Sequence, residues 1–186
     1  MSSLQREKAT LRREMQEKIQ KISESARISQ SKAICQRIQN SQQWKRASNL
    51  LLYFPMKDEP NITPLLLQSI LEGKLLYLPQ FDPATQAYSI APVRDLKKEM
   101  RSGKYGIQEP TTSAVAQKEI DMILVPGLCF DTTGARLGRG KGFYDRLLTQ
   151  ISGFKCGVCW KDTCLFNRLI PVEFHDARVD TCWYDL

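Results

Sequence analysis

The sequence predicts an α/β protein, a three-layer α/β/α sandwich around a mixed, mostly parallel sheet of the Rossmann-like kind. Three observations predict it. Short apolar runs, several closed by proline, alternate with stretches of helical periodicity. A strand, a helix and a second strand follow one another within about 30 residues, the length of a right-handed crossover unit. The 186 residues, 42% of them hydrophobic, suffice for one core, and no repeat, low-complexity stretch or linker divides them. Residues 1–186 are therefore read as one domain.

Each element has its own signal. Leu4, Leu11, Met15, Ile19 and Ile22 form one stripe of a helix over about residues 3–23, with Lys8 and Arg12 on a neighbouring face. Ser29 or Ser31 is expected to cap a second helix carrying Ile34 and Ile38, broken around Ser41 to Arg46. Asn49-Leu-Leu-Leu-Tyr-Phe54, closed by Pro55, has the form of a buried strand. Thr63 and Pro64 open a third helix with Leu66, Leu67, Ile70 and Leu71 as its apolar face, and Gly73 ends it. Strands are expected at Lys74 to Leu78, Ala87 to Ile90, Met122 to Val125, Lys155 to Trp160 and Val179 to Tyr184, with a helix at Gly142 to Ile151. Val93 to Gln117 reads as loop, punctuated by Gly103, Gly106 and Pro110.

Composition excludes several classes. No apolar run approaches the roughly 20 residues of a membrane span, and the charged start lacks the apolar core of a signal peptide. A cytoplasmic protein with six reduced cysteines is the expectation. The formal net charge of +7 lies entirely in residues 1–50, and the remainder sums to zero. Such an N-terminal third suits nucleic acid, phosphate ligands or a solvated face.

The densest chemical signal runs from Phe130 to Arg146. Gly138, Gly140 and Gly142 alternate, Arg136, Arg139 and Lys141 add positive charge, and a helix start follows. That combination suits a polyphosphate, with a glycine-rich surface turn as the alternative. It is neither a dinucleotide fingerprint, since the glycines are two apart, nor a P-loop, since Ala135 and Gly142 stand where that motif needs glycine and Ser or Thr. Asp145 beside the cluster, and Asp180 near the chain end, are the carboxylates available to Mg²⁺, or else plain loop and helix-start acids. Cys156-x2-Cys159-x4-Cys164 with His175 offers four nominal zinc ligands, but a strand through Cys156 to Trp160 puts its two cysteines on opposite faces, so core packing is the reading taken. His175 reads as a loop histidine and Cys129 as a core-filling thiol.

The segment Ile123-Leu-Val-Pro-Gly-Leu-Cys-Phe-Asp-Thr-Thr-Gly-Ala-Arg-Leu-Gly-Arg-Gly-Lys-Gly-Phe-Tyr-Asp145 closely resembles the signature of the 5-formyltetrahydrofolate cyclo-ligase family, also called methenyltetrahydrofolate synthetase. Lys8-x2-Leu11-Arg12-x2-Met15 resembles its N-terminal nucleotide-binding helix, and Phe54-x4-Glu59 its folate-contacting strand end and acid. Tyr105-Gly-Ile-Gln-Glu109-Pro110 and His175-Asp176-x3-Asp180 resemble its mid-chain and C-terminal metal motifs. One departure is Phe143, where the family commonly has tyrosine, so any hydroxyl role there must rest on Tyr144.

The resemblance implies a monomeric enzyme with ATP and a reduced folate as substrates and Mg²⁺ as cofactor, acting on neither nucleic acid nor membrane. Carried over position by position, it implies ATP binding by Lys8, Arg12, Arg136, Leu137, Gly138, Arg139, Gly140, Lys141, Gly142, Phe143 and Tyr144. Folate binding falls to Phe54, Glu59, Arg139, Gly140, Lys141 and Tyr144, catalysis to Arg139, Lys141 and Tyr144, and metal to Asp145 and Asp180. Two rivals predict otherwise. A nucleic-acid-binding protein would leave the Gly138 to Asp145 cluster without a role, and a phosphosugar or coenzyme A enzyme would use the phosphate loop without Lys8 or Arg12.

Overall fold

A computed structural model describes residues 2–103, 106–116 and 119–184, so Tyr105 of the mid-chain motif and Gln117 at the end of the expected loop fall outside it. Helix α1 (Ser3–Lys21) begins in a capping box, with the Ser2 hydroxyl accepting from the Gln5 N–H and the Gln5 side chain returning to the Ser2 N–H. Helix α2 (Glu24–Asn40) is capped by Ser23, earlier than expected, because Ser23 accepts from the Ala26 N–H. Ser31 lies buried inside α2 and accepts from the Asn61 N–H. The expected break is itself a short helix, α3 (Gln42–Arg46), capped by Ser41 so that Trp44 turns into the core.

Strands β1 (Asn49–Leu51) and β2 (Leu75–Asp82) flank α4 (Thr63–Leu71) and pair in parallel, the crossover unit the sequence implied. In α4, Thr63 is the first helical residue and not the cap, and the buried face is Leu65, Leu66 and Ser69, while Leu67 and Leu71 are exposed. Strand β2 runs straight through Pro79 to pair antiparallel with β3 (Ala87–Val93). Two three-residue strands, β4 (Met100–Ser102) and β5 (Gln108–Pro110), form a small antiparallel pair inside the expected loop.

Strand β6 (Glu119–Pro126) leads into a three-stranded sheet that no periodicity announced: β7 (Cys129–Asp131), β8 (Arg136–Leu137) and β10 (Cys164–Leu165). Helix α5 (Phe143–Gln150), β9 (Ser152–Val158) and β11 (Thr181–Trp183) complete the chain. The main sheet has the order β11-β9-β6-β1-β2-β3 and is parallel except for β3.

The layers follow from side-chain alternation. Leu50 and Leu52 face α2, α3 and α4 through Ile34, Ile38, Trp44 and Leu66, whereas Leu51 faces Ile123, Val125 and Leu147 of α5. Cys156 packs in the first cluster and Cys159 in the second, as opposite faces require. Leu11, Met15 and Ile19 of α1 pack instead on Leu128, Leu137 and Trp160, which anchors the N-terminal helix over the small sheet. No helix among the described residues is long and apolar enough to cross a membrane.

Topology places the site. From β1 the chain crosses through α4 to β2, and from β6 through α5 to β9, on opposite faces and in opposite directions along the sheet. The carboxyl ends of β1 and β6 therefore diverge, and ligands of open α/β sheets occupy such a crevice.

Candidate active site

A cavity of about 830 Å³ opens at that crevice. Tyr53 and Phe54, just beyond β1, and Pro126 and Gly127, at the end of β6, form its floor. The glycine-rich segment from Arg136 to Arg146 forms one wall and α1 another.

The wall is shaped by one buried arginine. Arg136 donates Nη1 to the Pro126 carbonyl (3.2 Å) and Nη2 to Asp145 Oδ1 (2.9 Å), with its guanidinium over the Tyr144 ring at 5.6 Å. A Cβ on Gly138 would lie 2.7 Å from Arg136 Nη1, so only glycine lets the loop pass there. Gly142 takes φ +65° to turn the loop into α5, which lacks a side-chain cap. The first-turn N–H groups of α5 are thus left facing the cavity end of the helix, a favourable place for anionic oxygen.

The cations fall into two groups. Arg12 Nε donates to the Gly138 carbonyl at 2.9 Å, and Lys141 makes no ion pair among the described residues. Lys8, in contrast, is buried and held between Glu173 Oε2 (2.9 Å) and Asp176 Oδ2 (2.5 Å). Arg139 Nη2 reaches Asp58 Oδ1 (2.7 Å) and Glu59 Oε1 (3.4 Å) across the cavity.

The opposite wall is acidic and aromatic. The turn at residues 57–59 is held from three sides: Arg27 donates to the Lys57 carbonyl, the Trp160 indole donates to the Asp58 carbonyl at 2.8 Å, and Arg139 takes both acids. Burial pushes the Glu59 carboxyl above the usual range, although the Met56 N–H and Arg139 work against it. Tyr53 and Tyr144 are pushed well up, by burial first and by Glu59 second. The Tyr53 hydroxyl is buried without a hydrogen-bond partner among the described residues, an orphan that a polar ligand would satisfy.

Lys8, Arg12, Phe54, Glu59 and every position from Arg136 to Asp145 named from the sequence line this one cavity. Asp180 is the exception. Its carboxylate accepts from the Lys155 N–H of β9 at 2.7 Å, and it is not among the cavity residues, so the expected pairing of Asp180 with Asp145 does not form. The reason is register: Asp180 immediately precedes β11 and pairs back onto β9. The residues read as loop at 173–176 do reach the cavity, as Glu173, His175 and Asp176. Gln5, Tyr88 and Arg146 also line it; only their proximity to the α1 stripe, β3 and the glycine-rich segment hinted at this.

The thiols sort differently from their spacing. Burial raises Cys129 to about 12 and Cys35 to about 11, the behaviour of core-filling thiols. Cys156 and His175 stand apart from Cys159, and the thiols that meet are Cys159, Cys164 and Cys182.

The chain is similar to known proteins over nearly its whole length. The profile of the 5-formyltetrahydrofolate cyclo-ligase family matches residues 4–185. A protein of Schizosaccharomyces pombe described as "Probable 5-formyltetrahydrofolate cyclo-ligase" is 30% identical, over 93% of this chain and 92% of its own length. The Mus musculus 5-formyltetrahydrofolate cyclo-ligase is 26% identical over 96% and 93%. The solved 5,10-methenyltetrahydrofolate synthetase of Aquifex aeolicus superposes with a TM-score of 0.84 at 33% identity, covering 95% of this chain and 88% of that one.

Proposed function

The chain belongs to the 5-formyltetrahydrofolate cyclo-ligase family, a family of enzymes, and from that premise we propose that it uses ATP and Mg²⁺ to convert 5-formyltetrahydrofolate to 5,10-methenyltetrahydrofolate, releasing ADP and phosphate. One observation supports this reading above others: a cationic glycine-rich loop and a buried carboxylate face each other across one cavity, bridged by Arg139. An enzyme that needed only a phosphate, such as the phosphosugar or coenzyme A alternative, has no use for the second half.

The nucleotide phosphates lie along Gly138 to Phe143, where Arg12 and Lys141 supply charge and the α5 N-terminus supplies N–H donors. They compete with Glu173 and Asp176 for Lys8. The pterin enters between Phe54, Tyr53 and Tyr144, and Glu59, as an acceptor, takes the N–H groups of its amino and ring nitrogens. The formyl oxygen then attacks the γ-phosphorus and the bond to ADP breaks; the neighbouring folate nitrogen closes on the activated formyl carbon, its N–H proton passes to the departing phosphate or to water, and the carbon–oxygen bond breaks as phosphate leaves. Alignment and charge stabilisation are what such a transfer asks of the protein. Lys141 and Arg139 neutralise the transferring group, and Tyr144 orients its oxygens.

Asp145 fits a Mg²⁺ site. Its hydrogen bonds from Arg136 and Ala177 both fall on Oδ1, which leaves Oδ2 for a cation that takes one or two carboxylates and completes its shell with phosphate oxygens and water. When bound, Mg²⁺ neutralises charge on the phosphates. Since Lys8 and Arg12 line the cavity, the basic N-terminal third has a use there, and we place the enzyme in the cytoplasm as a monomer that binds neither nucleic acid nor membrane.

The experiment is absorbance at the methenyl-folate band with purified protein, 5-formyltetrahydrofolate and Mg²⁺, before and after ATP. A rise that requires ATP supports the reaction. A flat trace from folded protein rejects it and leaves the phosphate loop to another substrate.

A further inference from the structure

Outside the cavity lining, three cysteines converge. Cys159 follows the end of β9, Cys182 lies in β11 and Cys164 in β10, and their sulfurs all lie within 4.8 Å of one another, with Cys159 Sγ to Cys182 Sγ at 3.6 Å. We infer that Cys159, Cys164 and Cys182 form a three-thiolate site for a soft cation of the Zn²⁺ or Cu⁺ class, independent of the nucleotide and folate chemistry.

The geometry is close to what such an ion needs. Zn–S bonds of about 2.3 Å put bound sulfurs roughly 3.8–4.0 Å apart, so the Cys159–Cys182 pair opens by only a few tenths of an ångström and the pairs with Cys164 close by at most about 1 Å. The scaffold is rigid where rigidity matters. Cys182 lies opposite Gly157 in the parallel pair of β11 and β9, and the Cys159 N–H donates to the Trp183 carbonyl. Cys164 is fixed by its pairing with Phe130 of β7. Ligands carried by paired strands hold their positions better than ligands on loops.

The donor set selects the ion. Three sulfurs with no carboxylate or imidazole in the group favour Zn²⁺ or Cu⁺ over Mg²⁺, which takes oxygen. The site therefore does not compete with Asp145 for the same metal. Cys159 is fully buried while Cys164 and Cys182 are partly exposed, so two of the three ligands are open to an ion from solvent. The linear spacing Cys156-x2-Cys159-x4-Cys164 suggests a different set, and only strand pairing replaces Cys156 with Cys182.

A bound ion would also brace the active site. Cys159 directly precedes Trp160, whose indole holds the Asp58 carbonyl and with it the turn that carries Glu59. Cross-linking β9, β10 and β11 behind Trp160 fixes that hydrogen bond from below.

Reduced full-length protein titrated anaerobically with Co²⁺ tests the site directly. We expect one equivalent to bind with a near-ultraviolet sulfur-to-cobalt charge-transfer band, displaced by Zn²⁺. Cys164→Ser, at the partly exposed ligand, should weaken binding by more than the roughly 10–100-fold typical of an outer-shell loss, and Cys35→Ser should leave the band intact. Absence of the band from folded, reduced wild-type protein overturns the proposal without recourse to any variant. So does a band of undiminished intensity in folded Cys164→Ser. Circular dichroism establishes folding in each case.

Discussion

Arg139 and Glu59 meet across the cavity, Nη2 to Oε1 at 3.4 Å, so a residue of the glycine-rich loop directly holds the buried acid of the opposite wall. The two halves of the site are therefore joined by one ion pair.

Glu59→Gln keeps the shape of that acid and removes its charge. A hydrogen bond to a charged group contributes about 1.5–3 kcal/mol, so folate affinity should fall roughly 10–100-fold while ATP affinity changes little. Calorimetric titration of each ligand separately checks the division. Loss of nucleotide affinity instead of folate affinity would show that Glu59 serves the phosphates.

The direction of the Glu59 shift sets a pH dependence. Burial raises its folded pKa above the unfolded value of about 4.3, so the folded protein holds this proton to higher pH than the unfolded chain does. The stability contribution of that group is present at low pH and is lost as pH rises through the folded value. Folate binding, which uses the ionised acceptor, should move the opposite way and strengthen over the same window. Folate affinity measured against pH, in wild type and Glu59→Gln, should show the dependence only in the former.

Among the described lysines and arginines that line the cavity, Lys141 is the one whose side chain makes no ion pair or hydrogen bond, so its charge is available to a ligand. Lys141→Ala should lower kcat by about 10²–10³-fold, the effect of removing one stabilising donor from a transfer transition state. KM for the folate should stay within a few-fold. Steady-state kinetics at saturating ATP distinguish this from a general loss of binding.

The two metal candidates separate cleanly. Asp145→Asn should raise the Mg²⁺ concentration needed for half-maximal turnover by at least about tenfold, because a charged ligand becomes a neutral one. Asp180→Asn should leave the Mg²⁺ dependence unchanged, since Asp180 serves the Lys155 N–H of β9. A Mg²⁺ defect in Asp180→Asn would place that residue at the metal after all.

Much of the site was legible because its residues are close in sequence. Arg136 to Asp145 form one continuous loop and helix start, and the glycine spacing already demanded a close backbone approach. The main-sheet strands were legible as apolar runs, but their limits were not: β2 continues through Pro79 because β1 ends opposite Tyr77, so beyond that point β2 pairs with β3 alone and one of its sides carries no ladder. The small sheet escaped notice because β7, β8 and β10 have two or three residues each, too few to show a period. Ser23 and Ser41 as caps, and Trp44 as a core residue, depended on which of several adjacent serines met a free N–H.

What the sequence by itself determined is the set of local instructions: which stretches are helix or strand, where the chain needs glycine, and that a cationic loop precedes a helix. Tertiary structure alone decided which distant groups meet. Lys8 finds Asp176 across 168 positions, Arg139 finds Glu59 across 80, and Cys182 displaces Cys156 as a neighbour of Cys159. Local preferences act through a few adjacent dihedrals and hydrogen bonds, whereas these encounters are fixed by strand order and register, which only packing the whole core can select.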